Sequence, residues 1–287
     1  YRQISLSRFC RLLGITRQAY YQHFWQEAST CMKEDLVLQE VSKIRKRHKH
    51  MGGKKLHNML SSFLSENQIN MGRDSFFDLL QAHGLLIRRR KRRIITTQSL
   101  HRFRKYPNKI NGVIASRPNQ IWVSDITYWK IENRNVYISL ITDAYSRKIV
   151  GYHVSDNLET SGTIRALKMA LAQLKEKPES LIHHSDRGIQ YCSTDYVKLL
   201  NDNDIQISMT ENGDPYENAL AERLNGILKE EYLYDYSVTT LSQARMTLDF
   251  VVRLYNQERP HMSCELWTPE QVHALTELTR NGAKRVK

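Results

Sequence analysis

Apolar residues recur every three or four positions through most of the first 85 residues, a spacing that predicts short amphipathic helices. Leu6, Phe9, Leu12 and Leu13, then Ala19, Tyr20 and Phe24, mark two helices within residues 4–24. Gly14, Ile15 and Thr16 divide them as a glycine turn, an apolar plug and an N-cap, and Arg17 and Gln18 open the second helix. That is the spacing of a helix-turn-helix, whose second helix enters a major groove, and equally that of an ordinary helical hairpin. Further helices are expected over 34–48, 54–65 and 74–83, with Gly52, Gly53 and Gly84 as stops. The last two, joined around 68–72, suit either a second helix-turn-helix or an all-helical spacer.

After Asn111 the period changes. Residues 121–131, 136–142 and 148–154 are rich in β-branched and aromatic side chains and predict three consecutive antiparallel strands. Helices follow at 160–175, 194–201, 216–232 and 241–256, interleaved with short strands at 181–184 and 206–209. The order implies a mixed α/β sheet covered by helices.

Composition narrows the class. With 40% hydrophobic and 25% charged residues in 287, the chain suits a soluble protein of more than one domain rather than a disordered one. No apolar run is long enough for a membrane span and no basic-then-apolar signal segment opens the chain, so no membrane association is expected. The chain begins at Tyr1, and an upstream portion removed or left out is the expectation. Cys10, Cys31, Cys192 and Cys264 are far apart, which argues against a disulfide framework or zinc site and for a reducing cytosol.

Charge divides the chain. Residues 1–112 carry 23 Lys+Arg against 7 Asp+Glu, a balance of +16, and the remainder carries −3, giving +13 in total. The strongest run is Arg88, Arg89, Arg90, Lys91, Arg92 and Arg93. Six successive cations cannot pack in a core and are expected to form a linker that contacts a polyanion, with salt-dependent affinity.

Three carboxylates carry the candidate chemistry. Asp125 interrupts the middle of the first predicted strand, Asp186 follows the short strand at 181–184, and Glu222 lies on the helix at 216–232. On that helix Leu220, Leu224 and Ile227 form the expected core stripe, while Glu222, Asn225, Gly226 and Lys229 share the opposite face. Asp125, a poor strand former in a buried-looking strand, needs a partner, whereas Asp186 alone reads as a turn or N-cap residue and Glu222 alone as a surface one. Converging at one sheet edge, they would suit two Mg²⁺ or Mn²⁺ ions about 3.5–4 Å apart, clamping an in-line phosphoryl displacement.

The segments Trp122-x-x-Asp125-Ile126-Thr127-Tyr128, His184-Ser185-Asp186-Arg187-Gly188 and Glu217-Asn218-Ala219-Leu220-Ala221-Glu222-Arg223 resemble the core of DDE transposases and retroviral-type integrases. Thirty-five residues lie between Asp186 and Glu222, as in the IS-three family of bacterial insertion-sequence transposases. Tyr255-Asn256-x-x-Arg259-Pro260-His261 and Trp267-Thr268-Pro269 are similar to that family's C-terminal signature. Glu217 departs from it, standing where Asp is more usual.

The resemblance implies a ribonuclease-H-like α/β core preceded by an all-α region. The expected division is a helix-turn-helix-like segment at 1–30, a helical DNA-binding domain at 31–87, a basic linker at 88–112, the core at 113–235 and a helical extension at 236–287. It implies binding of double-stranded DNA (element ends and target), as a homo-oligomer, in the bacterial cytoplasm and at the nucleoid. It implies cleavage and 3′-hydroxyl strand transfer with Asp125, Asp186 and Glu222 as metal ligands, and fusion to an upstream frame. Lys229 resembles a basic residue that contacts DNA near the active site; its plain reading is an exposed helix lysine.

His183 and His184 fall on opposite strand faces and read as structural, and Asp143 with Arg147 reads as an Asx turn with a surface charge pair. Two other functions share much of this pattern: a transposase-derived regulator without catalysis, and a ribonuclease-H-like nuclease.

Overall fold

Ile121–Ile131, the predicted first strand, is the centre of a five-stranded sheet in a computed structural model that describes residues 5–87, 103–132, 134–174, 180–211 and 218–274, the side chains of 27 and 28 excepted. The run 88–93 and Glu217 lie outside those residues. The chain divides into two compact units, 1–87 and 88–287.

In the second unit β1 (Ile121–Ile131) pairs antiparallel with β2 (Arg134–Asp143), and β2 with β3 (Ile149–Ser155). β4 (Ile182–Ser185) and β5 (Gln206–Met209) add to the other edge of β1 in parallel, giving the order β3-β2-β1-β4-β5. Strand alternation sends the two faces of β1 into different cores. Trp129 and Ile131, with Val136, Ile138 and Leu140 of β2, pack against helices Ala219–Glu231 and Leu241–Gln257. Trp122, with Ile141 and Val150, packs on the opposite face against helices Thr160–Ala172 and Thr194–Asp202. Gly151 permits the second contact, because a Cβ there would lie 2.2 Å from the Ala166 carbonyl oxygen.

Helices of the first unit are α1 (Leu6–Leu12), α2 (Arg17–Arg47), α3 (Gly53–Met59), α4 (Ser61–Glu66) and α5 (Arg73–Ala82). Those of the second are α6 (Thr160–Ala172), α7 (Ile189–Cys192), α8 (Thr194–Asp202), α9 (Ala219–Glu231), α10 (Leu241–Gln257) and α11 (Pro269–Ala274). Among the described residues no helix is long and apolar enough to cross a membrane.

Two expectations for the first unit need correction. The helices read separately at the start of the chain and at 34–48 are one 31-residue helix, α2, which runs without a break past the 30/31 boundary. Its sequence contains neither Gly nor Pro, so nothing stops it once Thr16 has capped its start by accepting from the Ala19 N–H at 3.0 Å. Nor do α1 and the start of α2 share a packed core. Cys10 is buried, but Leu12 is 72% exposed, Trp25 71% and Phe24 55%. The core of the unit lies further on, where Val37 and Val41 of α2 meet Leu56, Leu60, Leu64, Phe76 and Leu80. Within it, the helix expected over 54–65 is split at Leu60 into α3 and α4.

The C-terminal signature proves to be packing chemistry. Asn256 on α10 accepts from the Ile149 N–H and donates to the Ile149 carbonyl, both at 3.0 Å, replacing a strand partner where β3 begins and the β2–β3 register shifts. Asn256→Ala leaves two buried backbone groups unpaired. We expect a loss of about 3 kcal/mol in urea unfolding, and a loss under about 1 kcal/mol would refute this role.

Candidate active site

The register of the parallel ladder brings two of the three acids level. β1 and β4 pair Ile121 with Ile182, Trp122 with His183 and Val123 with His184. Carried forward two residues, the same offset sets Asp125 beside Asp186, on the sheet face that α9 covers. Asp186 stands where β4 has ended, its Oδ1 accepting from the Gly188 N–H at 3.0 Å. A Cβ on residue 188 would lie 2.9 Å from that oxygen, so a larger residue there would push the Asp186 carboxylate aside. Glu222 is exposed in the first turn of α9.

Two amides bind α9 to β1 around Asp125. Asn218 Nδ2 donates to the Ser124 carbonyl at 3.2 Å, and Asn225 Nδ2 donates to Asp125 Oδ2 at 2.7 Å. Asp125 Oδ1 accepts from the Ile126 N–H at 2.9 Å. Glu222, Asn225 and Lys229 follow one another at helical spacing, so one row of α9 faces the acids of the sheet. The expectation for that row is half right. The three residues do share a face, but Asn225 and Lys229 are each only 7% exposed. From Asn225 onward the face looks onto β1 rather than solvent, because α9 packs on β1 and β2 and buries more than the stripe of Leu224 and Ile227.

Lys229 is therefore not the exposed helix lysine of the plain reading. Its ammonium lies 4.3 Å from the centre of the Tyr128 ring, close enough for cation–π attraction. Burial pulls its pKa down to about 8, opposed by the charge of Asp125. Asp125 moves the other way, to about 8. Burial is the main cause, then repulsion from Asp186 and more weakly from Glu222, with the Ile126 N–H and Lys229 acting against them. Asp125 thus senses both other acids, and Asp186 the more strongly.

Among the described residues no three His, Cys, Asp or Glu side chains stand as a ready-made chelate. The donor set nevertheless fits a hard divalent cation. It offers carboxylate oxygens whose mutual repulsion a cation would relieve, beside Asn225 Oδ1, a buried acceptor with no partner.

Around this site the remaining candidates are structural. His183 bonds Ser124 Oγ at 3.1 Å and the Tyr196 hydroxyl at 2.9 Å, and burial holds it neutral with a pKa near 3. His184 points to the opposite face and bonds Ser208 Oγ at 2.9 Å. Asp143 does form a turn, but the surface charge pair expected with Arg147 is absent. Asp143 is fully buried, accepting from the Asn119 N–H and from the N–H and hydroxyl of Ser146, each at 2.7 Å. Arg147 instead donates to the Ala144 carbonyl and to Ser263 Oγ. Arg17 and Gln18 are exposed at the start of α2.

Sequence reasoning missed Asn218 and Asn225 as parts of the site. The available signal was their distance from Glu222, four residues before and three after, which puts all three on adjacent turns. Asn225→Ala removes the bond that orients Asp125. We expect catalysis to fall about 10–100-fold with DNA affinity unchanged, measured by single-turnover cleavage.

Residues 115–215 and 203–269 each match an integrase core domain family. The chain is 33% identical over 257 residues to an uncharacterized 31 kDa protein of insertion element IS600 from Shigella sonnei, spanning 88% of this chain and 92% of that one. It is 29% identical over 264 residues to the transposase for insertion sequence element IS629 from the same organism, covering 90% and 87%. Against the InsF transposase for IS3A of Escherichia coli (strain K12), identity is 35% over 158 residues, 55% of this chain and 54% of that one. Among solved structures, the intasome of simian T-cell lymphotropic virus, in complex with the PP2A regulatory subunit B56 gamma, superposes with a TM-score of 0.50 at 20% identity. The match covers 83% of this chain and 76% of that chain, and it shows the ribonuclease-H-like fold. A sheet of this topology within a matched integrase core defines a polynucleotidyl transferase of the DDE type. More narrowly, the chain belongs to the IS-three family of bacterial insertion-sequence transposases.

Proposed function

We propose that this transposase binds the terminal inverted repeats of its element and catalyses Mg²⁺- or Mn²⁺-dependent strand cleavage and 3′-hydroxyl strand transfer. Asp125, Asp186 and Glu222 would hold two ions. The observation that carries this reading is the ladder offset that sets Asp125 level with Asp186, under the face of α9 that bears Glu222. Bound ions would supply charge neutralisation at the attacking and leaving oxygens of the phosphodiester.

The chain's own side chains would do the rest. Asn225 holds the Asp125 carboxylate in one orientation, and the Ile126 N–H fixes its other oxygen. Lys229, steadied on Tyr128, adds a cation beside the acids and would meet a DNA phosphate there. Water is the nucleophile for cleavage and a freed 3′-hydroxyl for joining. No protein nucleophile is needed, and the buried Cys192 thiol, pushed up to about 11 by burial, is unsuited to be one. Arg17, Gln18 and the cations at 88–93 would contact duplex DNA. Synapsis of two element ends would call for a homo-oligomer, at nucleoid DNA in the bacterial cytoplasm.

Incubation with Mg²⁺ and a supercoiled plasmid bearing the cognate ends tests this function. End-specific nicking and joining is the expected result. Binding without cleavage would instead indicate a regulator, and cleavage of RNA–DNA hybrids regardless of end sequence a nuclease.

A further inference from the structure

We propose that the corner where α2 meets α3, carrying Arg45, Lys46, Arg47, Lys49, Lys54 and Lys55, is the surface on which the helical unit seats the phosphate backbone of duplex DNA. This deepens the function proposed above and rests on it. Between Val41 and Ser65 the chain holds seven Lys and Arg and no Asp or Glu. Lys46, Arg47, Lys49 and Lys54 are exposed. The C-cap of α2, His48, and the N-cap of α3, Gly52, are four residues apart, so the cations are confined to one corner.

The fold accounts for only part of this charge. Arg45, Lys46 and Arg47 occupy the last turn of α2, where the helix dipole favours cations. Lys54 occupies the first turn of α3, where the helix dipole opposes a cation. Lys49 lies in neither helix. Arg45 is half-buried with Nε and Nη2 meeting no acceptor, and burial lowers its pKa. Exposed Lys46, Lys49 and Lys54 with the half-buried Arg45 thus gather positive charge at one corner, and a polyanion would neutralise it.

The helix that a second helix-turn-helix would use for recognition has the wrong sign. α5 exposes Asp74 and Asp78, and its Arg73 is held by Asp74 at 2.7 Å. Phosphates approaching α5 meet carboxylates, whereas at the corner they meet cations.

The test is anisotropy of the full chain against a short fluorescent duplex of arbitrary sequence, over a salt series. Lys49→Glu with Lys54→Glu is expected to weaken binding at least tenfold at low salt. It should also reduce the slope of log affinity against log salt by about 1.8, roughly 0.9 for each phosphate no longer neutralised. Lys49→Gln with Lys54→Gln should give a smaller loss in the same direction, and circular dichroism melts separate both from misfolding. An unchanged slope in both variants overturns the corner and leaves the proposed function standing. So does an equal loss in Lys130→Glu with Lys168→Glu, which changes net charge identically on exposed residues of the other unit. Wild-type chain that fails to bind any duplex overturns both readings.

Discussion

Asp125→Asn is expected to abolish end cleavage and joining while making the metal-free protein more stable. The catalytic loss follows from removing one of the acids that would hold the ions. Forfeiting several kcal/mol of transition-state stabilisation corresponds to about a 10³-fold or greater fall in rate. The gain in stability follows from proton linkage. In the folded chain Asp125 titrates at about 8, against an ordinary 3.8. Between those limits the folded state keeps a proton that the unfolded state releases. The contribution of Asp125 to wild-type stability is therefore fully present below its ordinary pKa and is lost as pH rises toward 8. Asn needs no proton, so at pH 8 in chelator the variant should melt above wild type, by about 1–3 kcal/mol once partial solvent access is allowed for. At pH 4 the two should converge. Added Mg²⁺ should raise the wild-type melting temperature and leave the variant unmoved. A variant less stable than wild type at pH 8 would be fatal to this account of the site.

The second large effect lies at the far end of α9. Arg259 is 2% exposed and grips Glu231 with two bonds, Nε to Oε2 at 2.8 Å and Nη2 to Oε1 at 2.7 Å, its guanidinium 5.5 Å from the Tyr255 ring centre. Removing either partner strands a buried charge, and Arg259→Met or Glu231→Gln should each lose about 3–5 kcal/mol in urea unfolding. The double variant Arg259→Met with Glu231→Leu leaves no charge behind and should be more stable than either single one. Additive losses would mean that the pair is not coupled. Because Glu231 ends the helix on which Glu222 begins, this pair also fixes how α9 lies on the sheet.

Local pattern accounts for much of this architecture. The strands expected at 121–131 and 206–209 are β1 and β5 to the residue, and Asp125 stood out because an acid in the middle of an apolar strand has no fold-level reason to be there. Partners distant in sequence were not legible. Asn225 and Asp125 are 100 residues apart, and Asn256 and Ile149 are 107 apart. A helical wheel separates polar from apolar positions, but it cannot say whether a polar face meets water or another polar residue. That is why α9 appeared to have a solvent side. The continuity of α2 was hidden differently. Only its second half, around Val37 and Val41, packs in the core, while Phe24 and Trp25 in its first half stay exposed, so a single helix resembles two.

That unbroken helix would also act as a ruler if its two ends both meet DNA. Thirty-one residues at a rise of 1.5 Å make α2 about 46 Å long. One turn of B-DNA occupies about 34–36 Å. With Arg17 near one tip and Lys46 near the other both meeting phosphate, the grips would fall more than one turn apart along the continuous rod. The footprint of this unit would then have a minimum length built into it, set by the absence of a single glycine or proline between residues 17 and 47.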